Sequence, residues 1–128
     1  MRQYKFRGKT LYDYDWIYGN LQIAGDYDQQ TYINPYNDYD KFTEVDKNTV
    51  CQSTELFDIN EKEIFEGDIV KLLSSGLICI IKWHKYLGTF YFDFKEDQKE
   101  NDKKLSIGEK IKDIEVIGNI YDNPDLFV

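Results

Sequence analysis

The 128-residue chain has few of the residues that most often build disulfides or metal centres: two cysteines and one histidine. Cys51 and Cys79 lack the spacing of a metal-binding pair, and no local cysteine-enzyme signature surrounds either of them. No apolar run approaches the roughly 20 residues that cross a bilayer. The first residues also lack the apolar stretch of a signal peptide. The sequence therefore predicts a soluble, cytoplasmic protein that does not contact a membrane.

Motifs that hold cofactors are missing as well. Phosphate-loop, dinucleotide-binding and serine-hydrolase patterns do not occur, and no carboxylate spacing indicates a two-metal hydrolase. The sequence therefore predicts no catalytic residues, no cofactor, no metal and no enzymatic activity.

The net charge of −8 is distributed unevenly. Residues 1–10 carry four bases and no acid, whereas residues 13–68 carry 14 acids and three bases. A broad acidic surface repels nucleic-acid phosphates, so nucleic acid is an unfavoured partner. The basic start is expected to pair with the acidic half of the same protein.

Short alternating segments between turn residues predict a mainly β fold. In the first strand, Tyr4 and Phe6 are expected to point inward. Residues 77–83 are nearly all apolar, which is typical of a central strand covered on both faces. A short helix is expected only within 53–63 or 122–127, and the charged residues 95–104 are expected to form a loop or hairpin tip. The predicted strands are 3–7, 16–23, 32–33, one or two within 42–52 with a possible turn at 46–48, 68–73, 77–83, 89–95 and 114–120.

The length fits one domain, or two small lobes that share a core. The predicted lobes are an N-terminal β subdomain at 1–55 and a second lobe at 56–128. Gly67 and Asp68 form a turn before an apolar strand, which looks like the start of an SH3-like barrel. The acidic pair Glu66 and Asp68 is expected to lie in a solvated turn. The fold prediction is therefore small antiparallel sheets with an SH3-like barrel in the C-terminal half.

Tyrosine and aspartate alternate within the first 40 residues. Tyrosine offers a large, stiff contact surface with a polar tip, and aspartate adds charge. Such a surface complements a basic patch on a protein partner. In the alternative interpretation, the tyrosines pack beneath turns whose aspartates point outward. The candidate interaction surface consists of Tyr12, Asp13, Tyr14, Asp15, Tyr27, Asp28, Tyr39 and Asp40.

Other functions are weaker alternatives. A metal-dependent enzyme would need aspartate oxygens as ligands for Ca²⁺ or Mg²⁺, although no twelve-residue calcium loop is present. The candidates for that role are Asp13, Asp15, Asp26 and Asp28. The acidic surface could also mimic nucleic acid, which requires a spatial arrangement of carboxylates that sequence does not give. Direct nucleic-acid binding would use basic and aromatic residues, with strand-end packing as the alternative interpretation. The candidates there are Lys82, Trp83, Lys85 and Tyr86.

Several segments together resemble one known family. Residues 63–70 read EIFEGDIV, and residues 115–126 read EVIGNIYDNPDL. Residues 1–8 (MRQYKFRG) and 16–21 (WIYGNL) extend the similarity over nearly the whole chain. In this combination the sequence resembles the YopX family of bacteriophage and prophage proteins.

The chain departs from that family pattern in two places. Cys51 and Ser53 stand in a segment that is usually rich in glycine, and Glu61 stands where glycine is usual. The resemblance implies a mainly β fold and a phage or prophage origin, and it implies no established activity.

These observations lead to one functional expectation, a non-enzymatic phage or prophage protein that binds an unidentified host or phage protein. Homo-oligomerisation is a further expectation, because small open sheets leave edges that need covering.

Overall fold

The computed structural model describes residues 4–36, 38, 40–95 and 113–128. Within these ranges the chain forms ten β-strands in two antiparallel sheets and only short 3₁₀ turns, so the mainly β prediction is confirmed. The chain divides into two compact units, Met1–Ser53 and Thr54–Val128. The predicted lobes had placed this boundary two residues later. In the described part, no helix is long and apolar enough to cross a membrane.

The first unit is an antiparallel meander that continues into a fifth strand. The strand order is β4-β3-β2-β1-β5. Gly19 lies where β2 and β3 approach closely, because a Cβ atom there would collide with the backbone oxygen of Asn34. The strands are β1 (Phe6–Lys9), β2 (Trp16–Ala24), β3 (Gln30–Pro35), β4 (Thr43–Val45) and β5 (Cys51–Phe57), which passes into the second unit.

Strand β4 has backbone partners on both of its sides. It pairs with β3 through Thr43, Glu44 and Val45. On its other side, the Asp46 N–H donates to the Lys9 oxygen at 2.8 Å. The Leu11 N–H donates to the Glu44 oxygen at 3.4 Å. The sheet is therefore strongly curled, and its inner side buries Ile33 and Val45.

The second unit contains an antiparallel sheet of four strands in the order β10-β7-β8-β9. Strand β8 is central, as predicted. The described strands do not close into a barrel, so the predicted SH3-like barrel is not confirmed. The four strands are β7 (Asp68–Leu72), β8 (Ile78–His84), β9 (Thr89–Phe94) and β10 (Ile114–Asn119), followed by a 3₁₀ turn at Pro124–Phe127. The short strand β6 (Glu63–Phe65) precedes them and pairs with β5.

Alternation along β9 builds the core of this unit. Phe90, Phe92 and Phe94 point inward, and burying a side chain of this size contributes about 1.5–3 kcal/mol. Only the first half of β8 is covered on both faces, because Lys82 and Trp83 are exposed. The core cluster consists of Ile64, Val70, Leu72, Cys79, Ile81, Phe90, Phe92, Phe94 and Ile114.

The structure corrects two predictions about which side chains are covered. Tyr4 is 58% exposed, while Arg7 and Lys9 on the opposite face of β1 are buried. Alternation defines the two faces of a strand, but tertiary packing decides which one is covered. Asp68 is not in a solvated turn: it is buried, and its Oδ2 accepts the Phe65 N–H at 2.8 Å.

Two predictions about local structure have different outcomes. The helix considered for 53–63 is wrong, because β5 and β6 occupy most of that range, whereas a 3₁₀ turn does lie within 122–127. The β10–β7 register shifts between Val116 and Gly118, an irregularity typical of a glycine inside a strand. Residues 96–104 of the predicted charged loop lie outside the described residues.

Candidate functional site

The turn between β1 and β2 is closed by hydrogen bonds to the backbone and the side chain of Thr10. Its N–H donates to the Asp15 oxygen at 3.0 Å, and its own oxygen accepts the Tyr14 N–H at 3.1 Å. Its hydroxyl oxygen accepts the Asp15 N–H at 3.2 Å. Tyr14 adopts a left-handed backbone conformation with φ of +58°, which non-glycine residues rarely take without such support. The turn is therefore held in one conformation. We call residues 11–15 the acidic turn.

The phenol of Tyr14 ties this turn to the segment after β4. Its hydroxyl donates to Asp46 Oδ2 at 3.2 Å, while Asp46 Oδ1 accepts the Asn48 N–H at 3.0 Å. The hydrogen bond to Asp46 is the main cause that raises the pKa of Tyr14 above its ordinary 10.0. Tyr14 is thus anchored by its ring tip as well as by its backbone.

Basic side chains of β1 and of the residue before it contact aromatic rings of the same unit. The Lys9 ammonium lies 4.9 Å from the ring centre of Tyr14 and 5.3 Å from that of Trp16. The Arg7 guanidinium lies 4.5 Å from the Trp16 ring, and the Lys5 ammonium lies 5.6 Å from the Tyr36 ring. Such cation–π contacts stabilise by about 0.5–2 kcal/mol each.

Sequence analysis missed this cluster of cations and rings. The signal lies in the register of the β1–β2 pair, which places Lys9 opposite Trp16 and Arg7 opposite Tyr18. Register follows from turn geometry and from which face is buried, so it was not available from the alternating pattern alone.

The predicted interaction residues lie in three different loops of the first unit. Tyr12 is 93% exposed in the acidic turn, and Tyr27 is 99% exposed in the turn between β2 and β3. The nine residues of β2 separate these two turns by roughly 30 Å along the strand. Asp40 is exposed between β3 and β4, while Tyr39 lies outside the described residues. Asp13, Tyr14, Asp15 and Asp28 are also exposed.

The aspartates considered as metal ligands occupy the same two turns. Asp13 and Asp15 precede β2, whereas Asp26 and Asp28 follow it. In the described ranges, no group of three or more histidine, cysteine, aspartate or glutamate side chains is arranged to hold a metal ion.

The residues considered for nucleic-acid binding lie at the turn between β8 and β9. The Lys82 ammonium forms an ion pair with Asp93 Oδ2 at 2.7 Å. The Lys85 ammonium lies 5.1 Å from the Tyr86 ring, which is 83% exposed. Trp83, the fourth candidate, is partly exposed and lies edge-on to a core phenylalanine at 4.9 Å. The structure therefore brings the four candidates together at one hairpin tip, with one of the two lysines already paired.

Comparison with known proteins adds a family and a fold. The family model described as "YopX protein" matches residues 5–128. The crystal structure of protein EF1440 from Enterococcus faecalis is similar over 100% of both chains, with a TM-score of 0.57 and 24% sequence identity. At that identity the similarity concerns the fold alone. Among curated proteins, no sequence matches the chain significantly. Because the family model spans nearly the whole chain, the protein belongs to the YopX family.

Proposed function

We propose that this protein is a non-enzymatic accessory protein of a phage or prophage, which binds a host or phage protein in the bacterial cytoplasm. The observation that carries the proposal is the exposure of Tyr12 and Tyr27. A tyrosine that packed beneath its turn would be covered, and these two rings are almost fully in solvent. Their exposure supports recognition over the packing alternative.

The acidic turn has two further properties that suit recognition. Its backbone is fixed by Thr10 and by the anchored Tyr14, so binding would order few additional groups. A surface that is already ordered loses less entropy when it binds. Asp13 and Asp15 are exposed in the same turn as Tyr12, and their charges would steer a partner that carries a basic patch.

The proposal is tested by a nuclease-treated pull-down from infected host lysate. The baits are the unaltered protein, Tyr12→Ala and Tyr27→Ala, with Phe57→Ala as the matched control. Phe57 is also an exposed aromatic residue, but it belongs to the second unit. We expect one protein to be retained by the unaltered bait and by Phe57→Ala, and lost by Tyr12→Ala or Tyr27→Ala.

The captured protein is then purified, and its direct affinity for each variant is measured by calorimetry. Loss of an aromatic contact residue should weaken binding by about tenfold or more. Because β2 separates the two turns, the single substitutions also show which turn makes the contact. If all four baits retain the same proteins, the proposed interaction surface is wrong.

A further inference from the structure

The tip of the β8–β9 hairpin is a second ordered turn with exposed side chains. We call residues 83–88 the basic tip. The Gly88 N–H donates to the His84 oxygen at 2.8 Å, and the Leu87 N–H donates to His84 Nδ1 at 3.2 Å. The His84 ring also contacts the rings of Tyr86 and Tyr91, with centre distances of 6.2 and 5.5 Å. The fold thus fixes this turn from within.

The side chains that this turn presents are largely apolar. Tyr86 is 83% exposed, Leu87 is 64% exposed and Trp83 is 43% exposed. Tyr86 and Leu87 are neighbours in this turn and lie outside the core cluster of the second unit, whereas Trp83 packs edge-on against the core residue Phe90. Exposed apolar patches on ordered elements are typical of contact surfaces.

The charge of the basic tip limits its partners. Lys85 is exposed beside Tyr86, and the neighbouring Lys82 adds a second positive charge that Asp93 balances. The tip thus carries positive charge on a protein whose net charge is −8. A partner must therefore offer a carboxylate next to an apolar or aromatic side chain. One paired lysine and the overall negative charge both disfavour a nucleic-acid strand, since its many phosphates need many cations.

The acidic turn of the same protein has the required chemistry. Asp13 and Asp15 are exposed in the same turn as the exposed Tyr12, on a fixed backbone. We propose that the basic tip of one molecule docks on the acidic turn of a second copy, with Lys85 facing Asp13 or Asp15 and the ring of Tyr86 facing Tyr12. The inference rests on the proposed function, because it uses the acidic turn as a protein-contact surface.

This contact joins two different surfaces, so it is heterologous. Each molecule then carries one free tip and one free turn, and association continues into a ring or an open series of copies. The two turns are small, and a contact smaller than the roughly 800 Å² per partner of a standard interface gives weak association. We therefore expect self-association in the range of about 10 µM to 1 mM protein.

Sedimentation velocity of charge-reversal variants tests the inference. The unaltered protein should increase in average mass with concentration. Lys85→Glu and Asp13→Lys should each weaken self-association by about tenfold or more, since each replaces an attractive pair with a repulsive one. Lys71→Glu and Asp26→Lys are matched controls, because each reverses an exposed charge in the same unit as its counterpart, outside the basic tip and the acidic turn, and should leave association unchanged.

The decisive samples combine the two reversals. In an equimolar mixture, the intact acidic turn of Lys85→Glu meets the intact basic tip of Asp13→Lys, and the two reversed surfaces also attract each other. We therefore expect the mixture to regain the self-association that each variant alone has lost. A single protein with both reversals should regain self-association, because its attractive pair is restored with the signs exchanged. Far-UV circular dichroism confirms that each variant is folded.

Three outcomes would overturn the inference. The first is an unaltered protein that stays monomeric over the whole concentration range. The second is a dimer that neither charge reversal affects. The third is a loss of association in the two control variants as large as in Lys85→Glu and Asp13→Lys. If it is monomeric and a single-stranded oligonucleotide binds in a manner that Lys85→Glu abolishes, the tip is a nucleic-acid surface instead. If the unaltered protein is monomeric but Tyr12→Ala no longer captures the partner protein, this inference is wrong and the proposed function is still supported.

Discussion

The carboxylate of Asp58 connects a turn in the second unit to the edge of its sheet. Asp58 lies directly after β5 and is buried, with 6% of its surface exposed. Its Oδ1 accepts the N–H groups of Asn60 and Lys62, both at 2.8 Å. Its Oδ2 accepts the N–H of Val116, in β10, at 2.9 Å. Removing this side chain should therefore loosen the turn and the edge strand together.

The cost follows from the three donors. The Val116 N–H is part-buried, and leaving such a donor without an acceptor costs about 1–3 kcal/mol. Asn60 and Lys62 are exposed, so water replaces much of what they lose, about 0.5–1 kcal/mol each. Asp58→Ala should thus lower the free energy of unfolding by about 3 kcal/mol, a large share of a typical 5–15 kcal/mol.

Asp58→Asn separates the loss at the turn donors from the loss at Val116. Its amide oxygen can still accept the two turn donors, but its NH₂ group would face the Val116 N–H. We expect a loss of about 2 kcal/mol, most of it from β10. Asp40→Ala, which removes an exposed carboxylate, should change stability by less than about 0.5 kcal/mol.

Urea unfolding measures these differences, and hydrogen exchange locates them. In both Asp58 variants, the Val116 amide should exchange faster by a larger factor than amides of the central strand β8. A loss below about 1 kcal/mol for Asp58→Ala would refute the reasoning. Exchange that accelerates equally in β8 and β10 would refute the assignment of the effect to the sheet edge.

Three further predictions concern backbone conformation and one titrating group. Glu61 has a φ of +62°, so Glu61→Gly should raise the free energy of unfolding by roughly 0.5–1 kcal/mol in thermal unfolding, whereas Glu61→Ala should not. Gly19→Ala should lower it by about 1–3 kcal/mol, because the added methyl group meets the backbone oxygen of Asn34; an unchanged melting temperature would contradict this close approach. The raised pKa of Tyr14 gives a contribution that is complete below pH 10.0 and is lost as the pH rises through the folded-state pKa. In urea unfolding from pH 8 to 11, the stability advantage over Tyr14→Phe should therefore shrink above about pH 10, and a constant advantage would exclude the hydrogen bond to Asp46.

Much of the strand pattern could be predicted because it depends on local alternation. The phenylalanines at 90, 92 and 94 alternate with more polar residues, and they point inward as a period of two requires. The turn at Gly67 has a φ of +85°, which glycine adopts freely. At the irregularity beside Gly118, a Cβ atom on that residue would lie 2.6 Å from Asn123 Oδ1, so glycine suits this position for a different reason. These features need only a few neighbouring residues, so sequence reasoning finds them.

The candidate site was only partly predictable. The exposed pairs Tyr12–Asp13 and Tyr27–Asp28 are visible in the sequence because turn residues mark them. Their separation by β2 is not visible until that strand has defined ends. The contacts of Lys9 with Tyr14 and Trp16 depend on the register of β1 against β2. Sequence alone therefore gave the residue types of the site but not their grouping.

The sequence by itself determined the family, the mainly β character and the positions of most turns, since these depend on short motifs, alternation and turn chemistry. The tertiary structure decided which polar groups are covered. Arg7, Lys9, Asp58 and Asp68 read as surface charges, yet all four are buried. For Asp58 and Asp68, backbone N–H groups that the fold places around the carboxylates offset the cost of burial. Partners such as Val116, 58 residues away along the chain, exist only once the strands have assembled.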